Sequence, residues 1–319
     1  MTDPRLEHWA EDIVCLRLPM PAFGGVTAFL LGEPGRQAIL DTGAPGAETA
    51  AIWLSLLDGR SNAVESIVCS HAHIDHVGQA GMLVRHTGAP LLMSRVEHED
   101  IARLSTMDRQ QRQASATTFY DQCAIPVDKR APPIDYSSLA PFPRPAAHLH
   151  DGETVELGGI AFEVWIGGGH SRAPVCLLSR ERKVFLAADQ LLMGSGPQVP
   201  VQAERPDDDM LGDYFRFLDR LDTLPDDLVV FPGHGDPVRE FKRQVAAIRE
   251  AHRQRLTRLL EGMQGEMTCA DMAPLLFANP SPRLISRMPY LLRPMANYLV
   301  AEGQLQARLD GAVLKYRTL

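Results

Sequence analysis

The amino-acid sequence predicts an α/β protein in which β-sheets and α-helices form layers. Apolar segments of strand length alternate with helical stretches through much of the chain. Turn residues, among 25 glycines and 24 prolines, separate these segments. With 319 residues and 45% hydrophobic composition, the chain can bury a large core as one large domain or two smaller ones.

The first predicted elements are a β-hairpin and a helix. The apolar segments 25–31 and 37–40 flank the turn sequence Gly-Glu-Pro-Gly-Arg at 32–36, which is typical of a hairpin. The hairpin leads directly into Asp41. A helix is then predicted from about Ala47 to Leu57.

A strand and a second helix follow. The strand at 66–69 leads into a histidine-rich segment, and Asp75 is in position to cap a helix that runs to about His86. Residues 91–93 form a further short strand. This order of strand, helix and strand indicates an α/β architecture.

Residues 95–145 interrupt the alternation. Residues 97–123 are helical in composition but polar, and six prolines occur between 126 and 145. Such an insert often covers an active site, although a surface excursion without a catalytic role explains it nearly as well. We expect the insert to lie near the active site.

Strands return after the insert, and helices follow them. Four apolar segments predict the strands: 154–157, 161–166, 175–178 and 183–187. Three helices and a hairpin then complete the chain: 239–263, 269–277, 282–302 and 305–316, with Asp310-Gly311 at the hairpin turn. We therefore expect a catalytic domain at 1–240 and a helical, winged-helix-like domain at 241–319.

Composition disfavours several classes of protein. The five cysteines are widely spaced and form no CxxC pair, which disfavours a disulfide framework or a thiolate zinc site. Charged residues interrupt the first 20 positions, and no stretch of about 18 apolar residues occurs later. Neither a signal peptide nor a membrane span is expected, and a cytoplasmic location is the default.

Charge is uneven along the chain. The net charge is −8, yet residues 241–319 contain 12 Lys and Arg against 6 Asp and Glu. A basic tail favours an anionic partner, but a solvated helical face explains it more simply, so nucleic acid is disfavoured as a partner. Apolar pairs in the tail, such as Leu259-Leu260 and Leu291-Leu292, leave a homodimer as a hypothesis.

The densest group of metal-ligand residues lies directly after the strand at 66–69. Three imidazoles and one carboxylate occur within six positions: His71, His73, Asp75 and His76. Alternate residues of an extended chain point the same way, so His71 and His73 suit one metal ion. Asp75 and His76, on the turn into the helix, suit a second ion about 3.5–4 Å away.

Three further donors follow predicted strands. His170 comes after three glycines, which allow the backbone to approach a metal closely. Asp189 ends the strand at 183–187, and His234 lies in the sequence Pro-Gly-His-Gly after an apolar segment. The other histidines have no such pattern and are interpreted as structural residues: His8, His86, His98, His148, His150 and His252.

Together, the motifs HxHxDH, Gly-His-Ser, Ala-Asp and Pro-Gly-His-Gly resemble those of the metallo-β-lactamase-fold superfamily over about residues 13–240. The resemblance implies a four-layer αββα sandwich and two zinc ions, with iron or manganese as alternatives. Asp189 would bridge the ions, and Asp41 would orient the site from behind the ligands. The remaining ligands form two groups, namely His71, His73 and His170 for the first zinc and Asp75, His76 and His234 for the second.

Departures from the family pattern bear on the choice of metal and on the type of reaction. Ser171 is followed by Arg-Ala-Pro, where many relatives continue with a second histidine or a Pro-Glu-His string. His73 stands where diiron oxidoreductases of the superfamily carry glutamate, and Asp189 stands where thiolate-using β-lactamases carry cysteine. The resemblance therefore favours zinc and hydrolysis.

The leading hypothesis is a hydrolase of a small-molecule ester, thioester or lactone. Two zinc ions that share a water lower its pKa and hold a hydroxide beside a bound carbonyl or phosphoryl group, while Asp75 and Asp189 steer protons. The first alternative is a metal-dependent nuclease or phosphodiesterase whose tail holds phosphates. The second is an iron-containing oxygenase or a non-catalytic binding module.

Two features bear on the substrate. Lactonases of the superfamily carry a tyrosine shortly after the bridging aspartate, whereas residues 190–194 contain none. Tyr120 and Tyr214 are candidates for that role, although each is more simply a packing aromatic. The tail resembles the winged-helix tail of hydrolases grouped with the human lactamase-β-like protein more than the glutathione-binding domain of glyoxalase II enzymes.

Overall fold

The computed structural model describes residues 6–20, 24–59, 61–278 and 280–319. These residues form two compact units. The first unit contains the described residues up to Thr106 together with Tyr136–Pro197 and Thr223–Gln244, and the second contains Met107–Asp135, Gln198–Asp222 and Val245–Leu319. The domain boundary at residue 240 stays a prediction, and residues 1–5 of the predicted catalytic domain lie outside the described residues.

Two β-sheets form the centre of the first unit. The seven-stranded sheet follows chain order, with β1 (Leu6–Ala10), β2 (Ile13–Leu18), β3 (Val26–Leu31), β4 (Gln37–Leu40), β5 (Val64–Val68), β6 (Leu91–Ser94) and β7 (Ala147–Leu149). Its strands are antiparallel from β1 to β4 and parallel from β4 to β7.

The second sheet has five strands, which are β8 (Thr154–Leu157), β9 (Ile160–Ile166), β10 (Val175–Ser179), β11 (Val184–Ala188) and β12 (Val229–Pro232). Their order is β12-β11-β10-β9-β8. Neighbours from β8 to β11 are antiparallel, whereas β11 and β12 are parallel. Because parallel strands end at the same edge, the segments after β11 and β12 emerge side by side.

Apolar side chains from both sheets pack into one core. Phe29 on β3 stacks on Phe231 of β12 with ring centroids 6.3 Å apart, and Phe162 and Leu177 of the second sheet are buried in the same cluster. Burial of a side chain of this kind contributes about 1.5–3 kcal/mol. The core therefore fixes the strand ends of the two sheets, from which the candidate ligands emerge.

The helices of the first unit are α1 (Ala47–Leu56), α2 (Ile74–Val77), α3 (Ala80–Thr87) and α4 (Arg95–Thr106), with short 3-10 helices at Ser61–Ala63 and Ser137–Leu139. The predicted hairpin and the helix after it are confirmed. Sheets and helices together confirm the α/β class.

The predicted single helix from Asp75 to His86 is wrong, because the structure breaks it between α2 and α3. A side chain at Gly78 would meet the nitrogen of Pro45 at 2.2 Å, so the loop before α1 packs directly on this backbone. Thr42 Oγ1 accepts a hydrogen bond from Gln79 N at 3.1 Å. Asp75 lies inside α2, and His73 occupies the N-cap position.

The insert also contains two helices rather than one. The helix α5 (Arg109–Gln122) begins after Asp108, whose carboxylate accepts a hydrogen bond from Gln111 N at 2.7 Å, while the Gln111 side chain accepts one from Asp108 N at 2.9 Å. This reciprocal capping starts a new helix. The helix α4 belongs to the first unit and α5 to the second.

The second unit is mainly helical. After α5 and a 3-10 helix at Val127–Lys129 it contains α6 (Met210–Leu221), α7 (Phe241–Gly262), α8 (Cys269–Leu276) and α9 (Pro282–Ala301), with α7 beginning in the first unit, and then the hairpin β13 (Leu305–Asp310) and β14 (Val313–Thr318). The helical tail is confirmed, whereas its winged-helix character stays a prediction. Among the described residues, none of the helices has the length and apolar composition that crossing a membrane requires.

We expect His252 to make the second unit less stable in acid. This histidine is 5% exposed and lies against the rings of Tyr214 and Phe215. Burial, with a smaller effect of the Arg255 charge, lowers its pKa to about 4. Below pH 6.5 the unfolded chain binds a proton that the folded chain does not, so stability falls between pH 6.5 and 4, by up to about 3 kcal/mol.

Urea unfolding of the wild type and of His252→Leu at pH 7.5 and 4.5 checks this expectation. The variant should lose less stability than the wild type over that interval. His86→Leu, at an exposed position of α3, is the matched control and should follow the wild type. Equal losses in the wild type and His252→Leu would contradict the expectation.

Candidate metal centre

The seven predicted metal ligands all lie in the first unit, directly after strands or on the turn that follows one. His71 and His73 follow β5, and Asp75 and His76 lie on α2. The other three follow strands of the second sheet: His170 after β9, Asp189 after β11 and His234 after β12. Both sheets therefore contribute to a single cluster of side chains.

Three imidazoles form the first group. The ligand atoms of His71, His73 and His170 lie within 4.8 Å of one another. His73 Nδ1 is 3.0 Å from His71 Nε2 and 2.8 Å from His170 Nε2. A metal ion bound by all three nitrogens fits this arrangement.

A carboxylate and two imidazoles form the second group. The ligand atoms of Asp75, His76 and His234 also lie within 4.8 Å of one another. Asp75 Oδ2 is 3.3 Å from His234 Nε2 and 3.8 Å from His76 Nε2. These nitrogen and oxygen donors suit a divalent ion such as zinc.

Asp189 lies between the two groups. Its Oδ2 is 3.3 Å from His170 Nε2 in the first group and 3.4 Å from His234 Nε2 in the second, while its Oδ1 is 3.5 Å from His76 Nε2. Asp189 also forms a third group of ligand atoms with His71 and His76. A carboxylate at this position can contact ions on both sides.

Two buried polar atoms of the cluster show that a cation fits there. His76 Nε2 and Asp189 Oδ1 are buried and have no hydrogen-bond partner among the described residues. Buried polar atoms without a partner are costly to a folded protein. A metal ion between these two atoms would satisfy both.

The protonation states of the side chains in the cluster also favour a bound cation. Burial lowers the pKa of His71 well below its usual range and that of His73 to about 3, so both rings are neutral and able to bind a metal. Burial opposes the charges of Asp75 and Asp189, but the neighbouring histidines, led by the charge of His76 and the hydrogen bond with His234, together outweigh burial and hold both pKa values below their usual range.

His234 carries a proton in the metal-free cluster. Burial disfavours its charge, but hydrogen bonds with Asp189 and Asp75 outweigh burial and raise its pKa to about 9. Protons on His76 and His234 therefore balance the two carboxylates where a metal ion would otherwise do so. The cluster has the charge balance of a cation site.

Asp41 hydrogen-bonds to His76 and to Ser70, which in turn lies beside His71. Its Oδ2 accepts hydrogen bonds from His76 Nδ1 and from Ser70 Oγ, both at 2.8 Å, and its Oδ1 accepts one from Ser70 N at 2.7 Å. Ser70 Oγ lies 2.9 Å from His71 Nδ1. Asp41 has a left-handed backbone with φ of 62°, a strained conformation that is typical of functional sites.

Ser70 and Gly233 are site residues that the sequence interpretation missed. Each directly precedes a ligand, and that adjacency was the available signal. A side chain at Gly233 would lie 2.3 Å from Asp189 Oδ1 and 2.9 Å from His76 Cε1. Backbone bonds from Gly233 N to Ala188 O and from Thr27 N to Gly233 O hold it there, at 2.7 and 2.8 Å.

His234 is oriented in the same manner. Its Nδ1 lies 2.7 Å from the carbonyl oxygen of Gly25, to which it donates as Nδ1–H, and Nε2 then faces the cluster. In His71, His76 and His234, an outer hydrogen bond therefore uses one ring nitrogen and leaves the other for a metal.

Comparisons with known proteins show which proteins this chain resembles. Residues 21–234 match the sequence model of the metallo-beta-lactamase superfamily. The probable metallo-hydrolase YqjP from Bacillus subtilis is 26% identical over 243 residues, which cover 72% of this chain and 73% of that protein. Hydroxyacylglutathione hydrolase GloC from Haemophilus influenzae is 24% identical over 223 residues, covering 68% of this chain and 89% of that protein. The atrochrysone carboxyl ACP thioesterase of Emericella nidulans is 23% identical over 222 residues, which cover 70% of this chain and 55% of that protein.

Two solved structures share the fold along almost the entire chain. A beta-lactamase domain protein from Burkholderia ambifaria superposes with a TM-score of 0.85 at 23% identity and covers 98% of this chain and 93% of that one. A metallo-beta-lactamase family protein from Thermus thermophilus has a TM-score of 0.77 at 25% identity, and the match covers 97% of this chain and 99% of that one.

Replacing Asp41 by asparagine should weaken metal binding. Asparagine tolerates a positive φ, so the backbone is kept, but its amide cannot accept the bonds from Ser70 and His76 on both atoms. We expect zinc affinity about 10- to 100-fold lower in a chelator-competition titration. Asp58→Asn, at an exposed position, is the control. Equal zinc affinities in all three proteins would show that Asp41 does not support the ligands.

Adding a methyl group at position 233 should also disturb the centre. In Gly233→Ala, the new carbon and Asp189 Oδ1 cannot both keep their positions at 2.3 Å. We expect at least about tenfold weaker zinc binding. Gly81→Ala on α3 is the control, because its methyl meets little but the end of the Arg85 side chain, at 3.3 Å. Wild-type zinc affinity in Gly233→Ala would contradict this reasoning.

Proposed function

This chain belongs to the metallo-beta-lactamase superfamily and is a metal-dependent hydrolase, and on that premise we propose that it is a dinuclear zinc hydrolase of small-molecule esters, thioesters or lactones. The observation that carries the proposal is the pair of three-ligand groups with Asp189 between them. In most single-ion sites three or four ligands suffice. Seven converging ligands are therefore better explained by two ions.

The assignment of ligands follows the two groups. His71, His73 and His170 would hold one ion, and Asp75, His76 and His234 the other, with Asp189 shared. When bound, such ions polarise a carbonyl group and lower the pKa of water. The chain's own residues must then supply orientation and proton transfer.

Asp75 is the residue that we propose to accept a proton from the attacking water. Its side chain is 12% exposed, against 7% for Asp189, so Asp75 is the more accessible of the two carboxylates. Burial disfavours the charge of Asp75, but the combined effect of the neighbouring histidines, led by the charge of His76, holds its pKa below its usual range. Asp75 Oδ2 is therefore an ionised acceptor at neutral pH.

Two relatives favour acyl substrates, and among these thioesters. A hydroxyacylglutathione hydrolase and an ACP thioesterase are both similar to this chain, and both names describe the release of an acyl group from a carrier. Tyr120 and Tyr214 give no support to a lactonase role. Both are buried, and the Tyr120 hydroxyl donates to the carbonyl oxygen of Ser286 at 3.1 Å.

The basic residues of the C-terminal tail give little support to the nuclease alternative. Arg308 and Lys315 of the C-terminal hairpin pair with Glu266 and Asp310 at 2.9 and 2.6 Å. Exposed pairs of this kind are weak, but each acid offsets a charge that a phosphate would need. Small-molecule acyl hydrolysis remains the proposed function.

The test is a substrate panel of acyl thioesters, esters, lactones, phosphodiesters and β-lactams, assayed with metal-free and zinc-reconstituted protein. We expect zinc-dependent thioester hydrolysis, reduced about 10²- to 10⁴-fold in Asp75→Ala. Asp58→Ala, at an exposed position, should keep wild-type turnover. Turnover without metal, or equal rates in Asp75→Ala and wild type, would contradict the proposal. Protein isolated with iron and without zinc would contradict the choice of metal.

A further inference from the structure

The first turn of α4 carries a buried carboxylate that the roles assigned above do not use. Glu97 lies three residues after the end of β6 and is 0% exposed. A carboxylate taken out of water is costly unless several hydrogen bonds compensate it. The groups that bond to Glu97 therefore indicate why it is there.

Those groups belong to the two loops that carry the first three candidate ligands. Glu97 Oε2 accepts a hydrogen bond at 2.8 Å from the backbone N–H of Ala72, which lies between His71 and His73. Glu97 Oε1 accepts one at 2.7 Å from Ala173 N and a further one from the hydroxyl of Ser171, the residue after His170.

Neighbouring residues of α4 and β6 fasten the same loop. Ser94 Oγ donates to the carbonyl oxygen of Ala173 at 2.7 Å. Asp100, one turn after Glu97 and also buried, accepts hydrogen bonds from Arg172 at 3.1 and 3.2 Å. Residues 171–173 are thus bonded to this segment at each position.

The two loops start from different sheets. The loop with His71 and His73 follows β5 of the seven-stranded sheet, and the loop with His170 follows β9 of the five-stranded sheet. A backbone bond from Val175 N to Ser70 O, at 2.8 Å, also joins them. Apolar packing between sheets is not directional. Directional hydrogen bonds are therefore needed to fix how the imidazoles meet.

We propose that Glu97 is a positioning residue of the metal centre, which sets the His71–His73 loop and the His170 loop relative to each other. This inference rests on the proposed function in that the three histidines hold a metal ion. Glu97 touches no substrate and acts through the ligand loops. Because its two oxygen atoms accept hydrogen bonds from different loops, one carboxyl group can hold both loops.

Glutamine has the shape of glutamate but not its bonding capacity. Its side chain offers one acceptor oxygen and one NH₂ group, which cannot accept a hydrogen bond. In Glu97→Gln, the NH₂ group would face Ala72 N or the Ser171 and Ala173 donors. One of the two loops is released in either orientation.

The experiment is a Co²⁺ titration of metal-free wild type, Glu97→Gln and Glu65→Gln, with a competing chelator and visible spectra. Glu65→Gln is the matched control, because Glu65 also accepts a backbone bond, from Gly158 N at 2.5 Å, and its hydrogen bonds go to Gly158 and Arg36, outside the ligand loops. We expect Glu97→Gln to bind Co²⁺ about 10- to 100-fold more weakly, with altered d–d bands. Glu65→Gln should match the wild type in both respects.

A wild-type Co²⁺ affinity and spectrum in Glu97→Gln would overturn the inference. Should that variant not fold, Ser171→Ala decides instead, because it removes one of the bonds to Glu97. We expect about fivefold weaker Co²⁺ binding for it, and unchanged binding would overturn the inference. The readout is independent of substrate, so a wild type that binds Co²⁺ but hydrolyses nothing in the panel contradicts the proposed function and not the role of Glu97.

Discussion

Polar side chains are concentrated where strands of the two sheets end. The rest of the structure depends on satisfying the charges and hydrogen bonds of these side chains. Imidazoles and carboxylates are expensive to bury unless charges balance and donors find acceptors. Here the pairing of Asp75 and Asp189 with His76 and His234 balances the charge without an ion. Divalent metal ions would supply positive charge beside the same two carboxylates, so the fold and the proposed chemistry favour the same arrangement of side chains.

The backbone is shaped by this constraint. Asp41 and Ala188 have positive φ values of 62° and 46°, although neither is glycine. Asp41 directs its own side chain towards His76, and Ala188 directly precedes the candidate ligand Asp189. Gly233 leaves the space that Asp189 and His76 fill. Such strain costs about 1–3 kcal/mol at each residue and persists because surrounding packing enforces it. The apolar core between the sheets supplies that packing.

Local features were predictable from the sequence, whereas features made by tertiary contact were not. The HxHxDH segment, the Asp-Gly hairpin and the C-terminal helices are encoded by neighbouring residues, so their types could be predicted. The break between α2 and α3 depends on Pro45 packing against Gly78, which no local pattern contains. Glu97 looked like one more charge on a polar helix, because only the fold reveals that its neighbours are ligand loops. Helix α6 is also a local feature, because Met210, Tyr214, Phe217 and Leu221 are three or four residues apart and are buried along one face.

The outer hydrogen bonds of the histidine rings have a consequence for how the protein acquires its metal. His76 and His234 present Nε2 because Asp41 and Gly25 hold their Nδ1 atoms, and Ser70 does the same for His71. Ring orientation is therefore fixed as the chain folds and does not wait for an ion. Three of the five candidate histidine ligands are thus oriented by bonds within the protein itself. Nitrogen and oxygen ligands accept several divalent ions, so the ions available in the cell also bear on which one these oriented rings would bind.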